Sequence, residues 1–234
     1  MDLKNAVVLI TGGSAGIGRS IAQALAQSGA QVAITGRDEA RLQEAASAVG
    51  AHPIQADVSK EEDVARTYRE LFAKFGDLDV LINNAGIGTF KSLVDLDRTS
   101  FDAVFATNVT GAMMMGREAA KHFIKRNRGN IVNIASTASM RGAANGTAYY
   151  ASKFALRGMT ECWRAELRKF NVRVMQVNPS EVLTDFAATA GLPQKANASK
   201  LRGDEIAHAV KAMLEMDDRG FTTELSVFAT NPAD

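Results

Sequence analysis

The residues of this 234-residue chain best suited to chemistry are Tyr149-Tyr150-Ala151-Ser152-Lys153, near the start of a long amphipathic stretch. Side chains three or four residues apart share a helix face, so Lys153 can meet Tyr150 at i+3 or Tyr149 at i+4; spacing alone does not choose. A phenol beside an ammonium is a workable acid–base device. Its ordinary pKa of about 10 must fall by about three units, or about 4 kcal/mol, to exchange protons near neutrality. An ammonium about 4 Å away, in an effective dielectric of about 20, supplies roughly that amount. Two half-buried tyrosines and a solvated lysine are the plain alternative.

A second cluster, Thr11-Gly12-Gly13-Ser14-Ala15-Gly16-Ile17-Gly18, follows a short apolar run and opens into helical spacing. Glycines at 12, 16 and 18 permit a tight turn, close backbone approach and close helix–strand packing. The free N–H groups of the helix start would face an anion, aided by the helix dipole. The same residues fit the G-x-S-x-G elbow of serine hydrolases, and chain order allows Ser14, Asp185 and His208 as a triad. Only one strand precedes Ser14, leaving no earlier loop to donate the second oxyanion N–H. Gly18 has no role in an elbow and a clear one in a dinucleotide loop, which is therefore the stronger reading. Asn83-Asn84-Ala85-Gly86 closes a later apolar run. In a sheet ordered 3-2-1-4-5 that turn and the glycine loop flank one crevice at the switch point.

The elements that must hold these groups alternate along the chain. Short, mostly apolar runs at Ala6–Ile10, Gln31–Thr35, His52–Ala56, Asp79–Ile82, Asn130–Ala135, Val172–Val177 and Leu225–Ala229 suit strands buried on both faces. Between them lie helical stretches: Ile17 to Ser28 closed by Gly29, then Glu39–Val49, Glu61–Phe75, Ser100–Arg126, Ala148–Phe170 and Asp204–Glu215. Strand–helix alternation throughout predicts a single α/β domain over 1–234, one doubly wound parallel sheet with helices on both faces. Residues 180–202 break the pattern and read as a substrate lid. Asn197-Ala198-Ser199 in it matches a glycosylation sequon, here read as coincidence.

Composition agrees with a globular protein: 46% hydrophobic and 23% charged residues, with 27 basic against 26 acidic side chains. A net charge of +1 supplies no global field for nucleic acid or an acidic membrane. Nineteen glycines against four prolines point to a need for close backbone approach. Cys162 stands alone and three scattered histidines add nothing to it, so neither a disulfide nor a metal site is expected. Without a signal sequence or an apolar run of about 18 residues, a reducing, cytoplasmic setting is the expectation.

In order, T-G-G-S-A-G-I-G at 11–18, N-N-A-G at 83–86, T-N-V-T-G around Asn108, I-V-N-I-A-S at 131–136, Y-Y-A-S-K at 149–153 and N-P-S-E-V-L-T at 178–184 resemble the short-chain dehydrogenase/reductase family over nearly the whole chain. The resemblance implies a Rossmann fold of about seven strands. It selects Tyr149 over Tyr150 through Y-x-x-x-K, and Ser136, thirteen residues upstream, at the family's usual interval. It implies Tyr149 as general acid or base, Lys153 lowering its pKa and holding the nicotinamide ribose, Ser136 on the substrate oxygen, and Asn108 positioning a water of a proton relay. The implied cofactor contacts are Gly12, Ser14, Gly16, Ile17, Gly18, Arg37, Asp57, Val58, Asn84, Ala85, Gly86, Tyr149, Lys153, Pro179, Val182 and Thr184, with Asp57 accepting from the adenine amine. One departure is Ser180, where the family usually has glycine after Pro179.

Enzymes selective for NAD usually place an acid at the end of strand two. Here Gly36 stands there and Arg37 follows, which favours the 2′-phosphate of NADP(H) over NAD(H); a solvated Arg37 before the Asp38 helix cap is the alternative. The expected activity is hydride transfer between NADPH and a carbonyl or alcohol, with a non-catalytic dinucleotide sensor as the alternative. The pattern is most similar to 3-oxoacyl-carrier-protein reductases. Lys121, Lys125, Arg126 and Arg128 could receive an acidic acyl carrier protein, or simply favour a helix dipole. Met140, Leu183, Phe186 and Leu192 are expected pocket walls, with Arg141 as an anion contact. The resemblance also implies a homodimer or homotetramer, for which Met113, Met114, Met115, Phe154 and Trp163 are candidate faces or, equally, core.

Overall fold

The computed structural model describes residues 1–191 and 199–230. Seven parallel strands form one sheet in the order β3-β2-β1-β4-β5-β6-β7. They are β1 (Val7–Ile10), β2 (Gln31–Gly36), β3 (His52–Gln55), β4 (Val80–Asn83), β5 (Gly129–Ile134), β6 (Val172–Pro179) and β7 (Glu224–Val227). Every residue of β1, β4, β5 and β6 is buried, as a sheet covered on both faces requires. Alternate side chains enter two separate cores. Val8 and Ile10 join Ile21, Leu25, Ile206 and Val210 on one face, while Val7 and Leu9 join Leu71, Met115 and Phe123 on the other. Each fully buried side chain of this size stabilises the fold by about 1.5–3 kcal/mol.

The helices are α1 (Gly16–Gln27), α2 (Glu39–Val49), α3 (Glu61–Phe75), α4 (Arg98–Phe105), α5 (Ala112–Arg126), α6 (Thr147–Leu167), α7 (Phe186–Thr189) and α8 (Gly203–Glu215). Local chemistry sets several ends. Asp38 accepts the Arg41 N–H and Asp97 the Ser100 N–H at N-caps, while Gly50 and Gly76 end α2 and α3 in the left-handed region.

One expectation needs correction and two others gain detail. The predicted helix over 100–126 is not continuous: Ala106–Gly111 is a π-helical segment between α4 and α5. Gly111 packs there so closely on Val58 that an added Cβ would lie 2.8 Å from its Cγ2, a tertiary constraint invisible to periodicity. The segment over 180–202, irregular in sequence, is not wholly irregular in the structure. It carries α7, and a bridge pairs Val182 with Leu201, supported by Leu183 N–H donating to Leu201 O at 2.7 Å. Its remaining features, Leu192, Pro193 and most of the sequon, lie outside the described residues. Finally, Met114 and Met115 are core residues, and Trp163 packs on Gly116; Phe154 is the exposed member of that set.

Candidate active site

At the switch point the glycine loop and the turn after β4 are one unit. The Thr11 hydroxyl accepts the Asn84 and Ala85 N–H groups, each at 3.0 Å. The Asn84 amide donates back to the carbonyls of Thr11 and Gly12 at 2.9 and 3.0 Å. The glycines make room for this lacing. At Gly12, with φ +64°, a Cβ would sit 2.9 Å from Ala85 Cα, and at Gly18 one would sit 2.5 Å from the Gly12 carbonyl and run into the Asn84 amide. Helix α1 starts at Gly16 with no side-chain cap and no acid in its first turn. Its leading N–H groups and dipole are therefore free for a phosphate, and a Cβ at Gly18 or Gly12 would push apart the two loops that frame this helix start.

Across the crevice, Ser136 lies two residues past the end of β5, and Tyr149 and Lys153 come from α6. A cleft of about 270 Å³ is lined by Gly12, Gly16, Ile17, Asn84, Ala85, Gly86, Ser136, Tyr149, Lys153, Pro179, Val182 and Thr184, among others. The structure thus brings together both sequence clusters. It also turns Tyr149 to the cleft, on the same wall as Ser136. Tyr150 leaves it: its ring occupies the space over Gly146 that any Cβ there would invade.

Electrostatics departs from expectation. Burial pushes Tyr149 up to about 12; the nearby Ser136 hydroxyl acts the other way and Tyr150 adds to the rise. The Lys153 ammonium does not offset this, because it donates to the Ile134 carbonyl at 3.0 Å and stands 5.7 Å from the Tyr149 ring centroid. Burial itself lowers Lys153 to about 8. Between about pH 8 and 10.5 the unfolded chain therefore binds more protons at Lys153 than the folded one, so stability rises with pH there. Tyr149 acts in the opposite sense above its ordinary value of 10.0, where the folded state keeps a proton the unfolded chain has lost. Chemical denaturation is expected to show a gain of about 2 kcal/mol from pH 8 to pH 10, absent in Lys153→Met.

Asn108 lies in the π segment and is buried. Its amide is fully engaged: Oδ1 accepts the Ile87 N–H, and Nδ2 donates to the Ile87 carbonyl and the Ser152 hydroxyl, each at 2.9 Å. Ser152 in turn donates to the Tyr149 carbonyl at 2.7 Å. The side chain therefore ties the Tyr149 turn of α6 to the strand-four loop.

The remaining sequence candidates fall around this centre. Ser14 stands over the end of β2, where a Cβ at Gly36 would be 3.0 Å from its hydroxyl. Arg37 is exposed, and its guanidinium has no hydrogen bond among the described residues. One Asp57 oxygen accepts from the Ser59 N–H and hydroxyl at 3.0 and 2.7 Å, and Val58 is buried. Arg41 and Phe90 escaped sequence reasoning. Arg41, on α2, lines the cleft and pairs with Asp185, just before α7; it stands four residues after Arg37, a spacing that could have flagged it. Phe90 packs on Tyr149 with centroids 5.5 Å apart.

Two alternatives lose their geometry. No hydrogen bond among the described residues joins Ser14, Asp185 and His208; Asp185 pairs with Arg41, and His208 is exposed on α8. The cations Lys125, Arg126 and Arg128 sit at the start of β5, the edge opposite Ser136, and Arg126 binds Asp77 and Asp79. Lys121, a turn earlier on the same helix, pairs with Glu118. Arg141 is exposed and Met140 lies against Ser226.

The chain is similar to L-xylulose reductase of Caenorhabditis elegans, 38% identical over 191 residues covering 79% of this chain and 75% of that protein. Among solved structures it is similar to 3-ketoacyl-(acyl-carrier-protein) reductase from Brucella melitensis complexed with NADH, with a TM-score of 0.91 at 30% identity over 97% and 98% of the two chains. A metagenomic short-chain oxidoreductase in complex with NADP gives 0.86 at 31% identity over 99% and 100%. A family model for short chain dehydrogenases matches residues 6–195, so this chain belongs to the short-chain dehydrogenase family of oxidoreductases.

Proposed function

We propose that the protein is an NADPH-dependent carbonyl reductase. The observation that carries this reading is the convergence of Ser136, Tyr149 and Lys153 on one wall of a cleft whose other wall is the glycine loop. The uncapped start of α1 and the glycine cradle fit a pyrophosphate, held by Gly12, Ser14, Gly16, Ile17 and Gly18. Asp57 and Val58 would flank the adenine, and Asn84, Ala85, Gly86, Pro179, Val182 and Thr184 the nicotinamide half. When bound, the dinucleotide supplies the hydride.

The chain's own groups manage the proton and the developing charge. Ser136 donates to the substrate oxygen, which becomes an alkoxide, and Tyr149 gives that oxygen its proton. A phenol held well above neutral pH is fully protonated, the form required of an acid in the reductive direction. Lys153, fixed on Ile134, holds a positive charge behind the phenol as it becomes phenolate. Asn108 keeps the α6 turn in register through Ser152.

Preference for NADPH rests on this chain's Gly36, Ser14 and Arg37, because the two similar structures carry NADH in one case and NADP in the other. A 3-oxoacyl thioester is a candidate substrate on the likeness to the Brucella melitensis enzyme, and a ketose on the likeness to L-xylulose reductase. Fluorescence titration with both dinucleotides, followed by NADPH oxidation with a panel of acyl thioesters, ketones and sugars, tests the reading. Tighter binding of NADPH and carbonyl-dependent oxidation are expected. Equal affinity would remove the cofactor preference, and binding without oxidation would leave a dinucleotide sensor.

A further inference from the structure

Two phenylalanines pack on Tyr149, and one of them, Phe186, lines the cleft. The Phe186 ring lies 5.3 Å from the Tyr149 ring at 50°, and Phe90 lies 5.5 Å away at 44°. Both separations fall in the range of favourable aromatic pairs. The two phenylalanines also converge on one point of backbone. A Cβ at Gly88 would be 2.7 Å from Phe186 Cζ and 3.1 Å from Phe90 Cε2, so glycine is what lets both rings close over the tyrosine.

Phe186 is held there from several directions. Its N–H donates to the Thr184 hydroxyl at 3.3 Å, and its carbonyl accepts from Ala190 N–H and the Thr189 hydroxyl at 2.9 and 3.0 Å. The preceding residue, Asp185, is paired with Arg41 of α2. These bonds set the backbone that carries the ring.

Charge is correspondingly spent. Of the ionisable groups lining the cleft, Arg41 and Asp185 neutralise each other, and the Lys153 ammonium is bound to Ile134. The polar atoms facing a substrate carbonyl are the Ser136 and Tyr149 hydroxyls, both needed for its oxygen. A polyhydroxylated or anionic chain packed on the two phenylalanine rings would set polar groups against apolar faces. A compact hydrocarbon ring would instead complete the aromatic contacts.

We propose that Phe90 and Phe186 are specificity-determining residues, and that they select a ketone carried on a compact apolar ring over a ketose or an extended acyl thioester. This rests on Tyr149 being the proton donor in a carbonyl reductase.

The test measures kcat/KM with NADPH for cyclohexanone and acetophenone, for xylulose, and for an acetoacetyl N-acetylcysteamine thioester. Wild type is expected to favour the ring ketones by at least about tenfold, the discrimination that apolar pocket contacts provide. Phe186→Ala and Phe90→Ala should each lower ring-ketone kcat/KM by about tenfold, chiefly through KM, and narrow the ratio to xylulose. Phe186→Leu, which keeps an apolar wall, should fall between; an NADPH titration of each variant confirms folding. Preference of the wild type for xylulose or the thioester would overturn the proposal while leaving the reductase reading intact. So would an unchanged ring-to-xylulose ratio in both alanine variants. NADPH binding with no carbonyl reduced would overturn both together.

Discussion

Tyr149→Phe is expected to lower carbonyl reduction by about 10²–10⁴-fold, the usual worth of a positioned acid–base group. The change removes one oxygen and little else. The ring keeps its contacts with Phe90 and Phe186, and Lys153 keeps its bond to Ile134. NADPH affinity and stability should therefore stay close to wild type, which separates loss of chemistry from loss of the site. Steady-state rates beside a fluorescence titration provide the comparison. Near-normal turnover in the variant would remove Tyr149 from the reaction.

Gly18→Ala should fail in the other way, losing cofactor and stability together. Its new Cβ would lie 2.5 Å from the Gly12 carbonyl and collide with the Asn84 amide. That amide carries the bonds to Thr11 and Gly12 that tie the two loops, so it cannot step aside without leaving polar groups unpaired. Overpacking costs about 1–3 kcal/mol and an unpaired buried group a similar amount, giving a loss of about 2–6 kcal/mol. Denaturation curves would measure it, and dinucleotide binding should weaken by more than about 100-fold, since about 2.7 kcal/mol lost at the cradle has that effect. Gly158→Ala is the control. It sits within α6, where an added Cβ meets nothing within 4 Å, and should be neutral or slightly stabilising.

Much of this site is contiguous in sequence and was legible for that reason. The glycine loop, the Asn84 turn and the Tyr149–Lys153 pair each sit within a few residues, and strand–helix alternation brings them to one edge of the sheet. Spacing could not separate Tyr149 from Tyr150, because both lie one turn from Lys153. What separates them is room for the second ring over Gly146, a property of the turn before α6. The break at Ala106–Gly111 depends on Gly111 meeting Val58 from another layer. The direction of the Tyr149 shift depends on burial and on where the ammonium donates, neither of which is encoded in a five-residue motif. The Arg41–Asp185 pair joins positions 144 residues apart. The position of the basic residues was in principle readable: a helix between parallel strands must end at the start of the next strand, which for α5 is the edge far from Ser136.

Hydride transfer can be followed atom by atom. The protein, incubated with NADPH carrying deuterium at the transferring C4 position and a ketone from the panel, should yield alcohol one mass unit heavier, with the label on the carbinol carbon and one NADP⁺ formed per alcohol. In Tyr149→Phe the same label should appear only at the residual rate. Unlabelled alcohol, or intact NADPH beside unreacted carbonyl across the panel, would contradict a carbonyl reductase centred on Ser136, Tyr149 and Lys153.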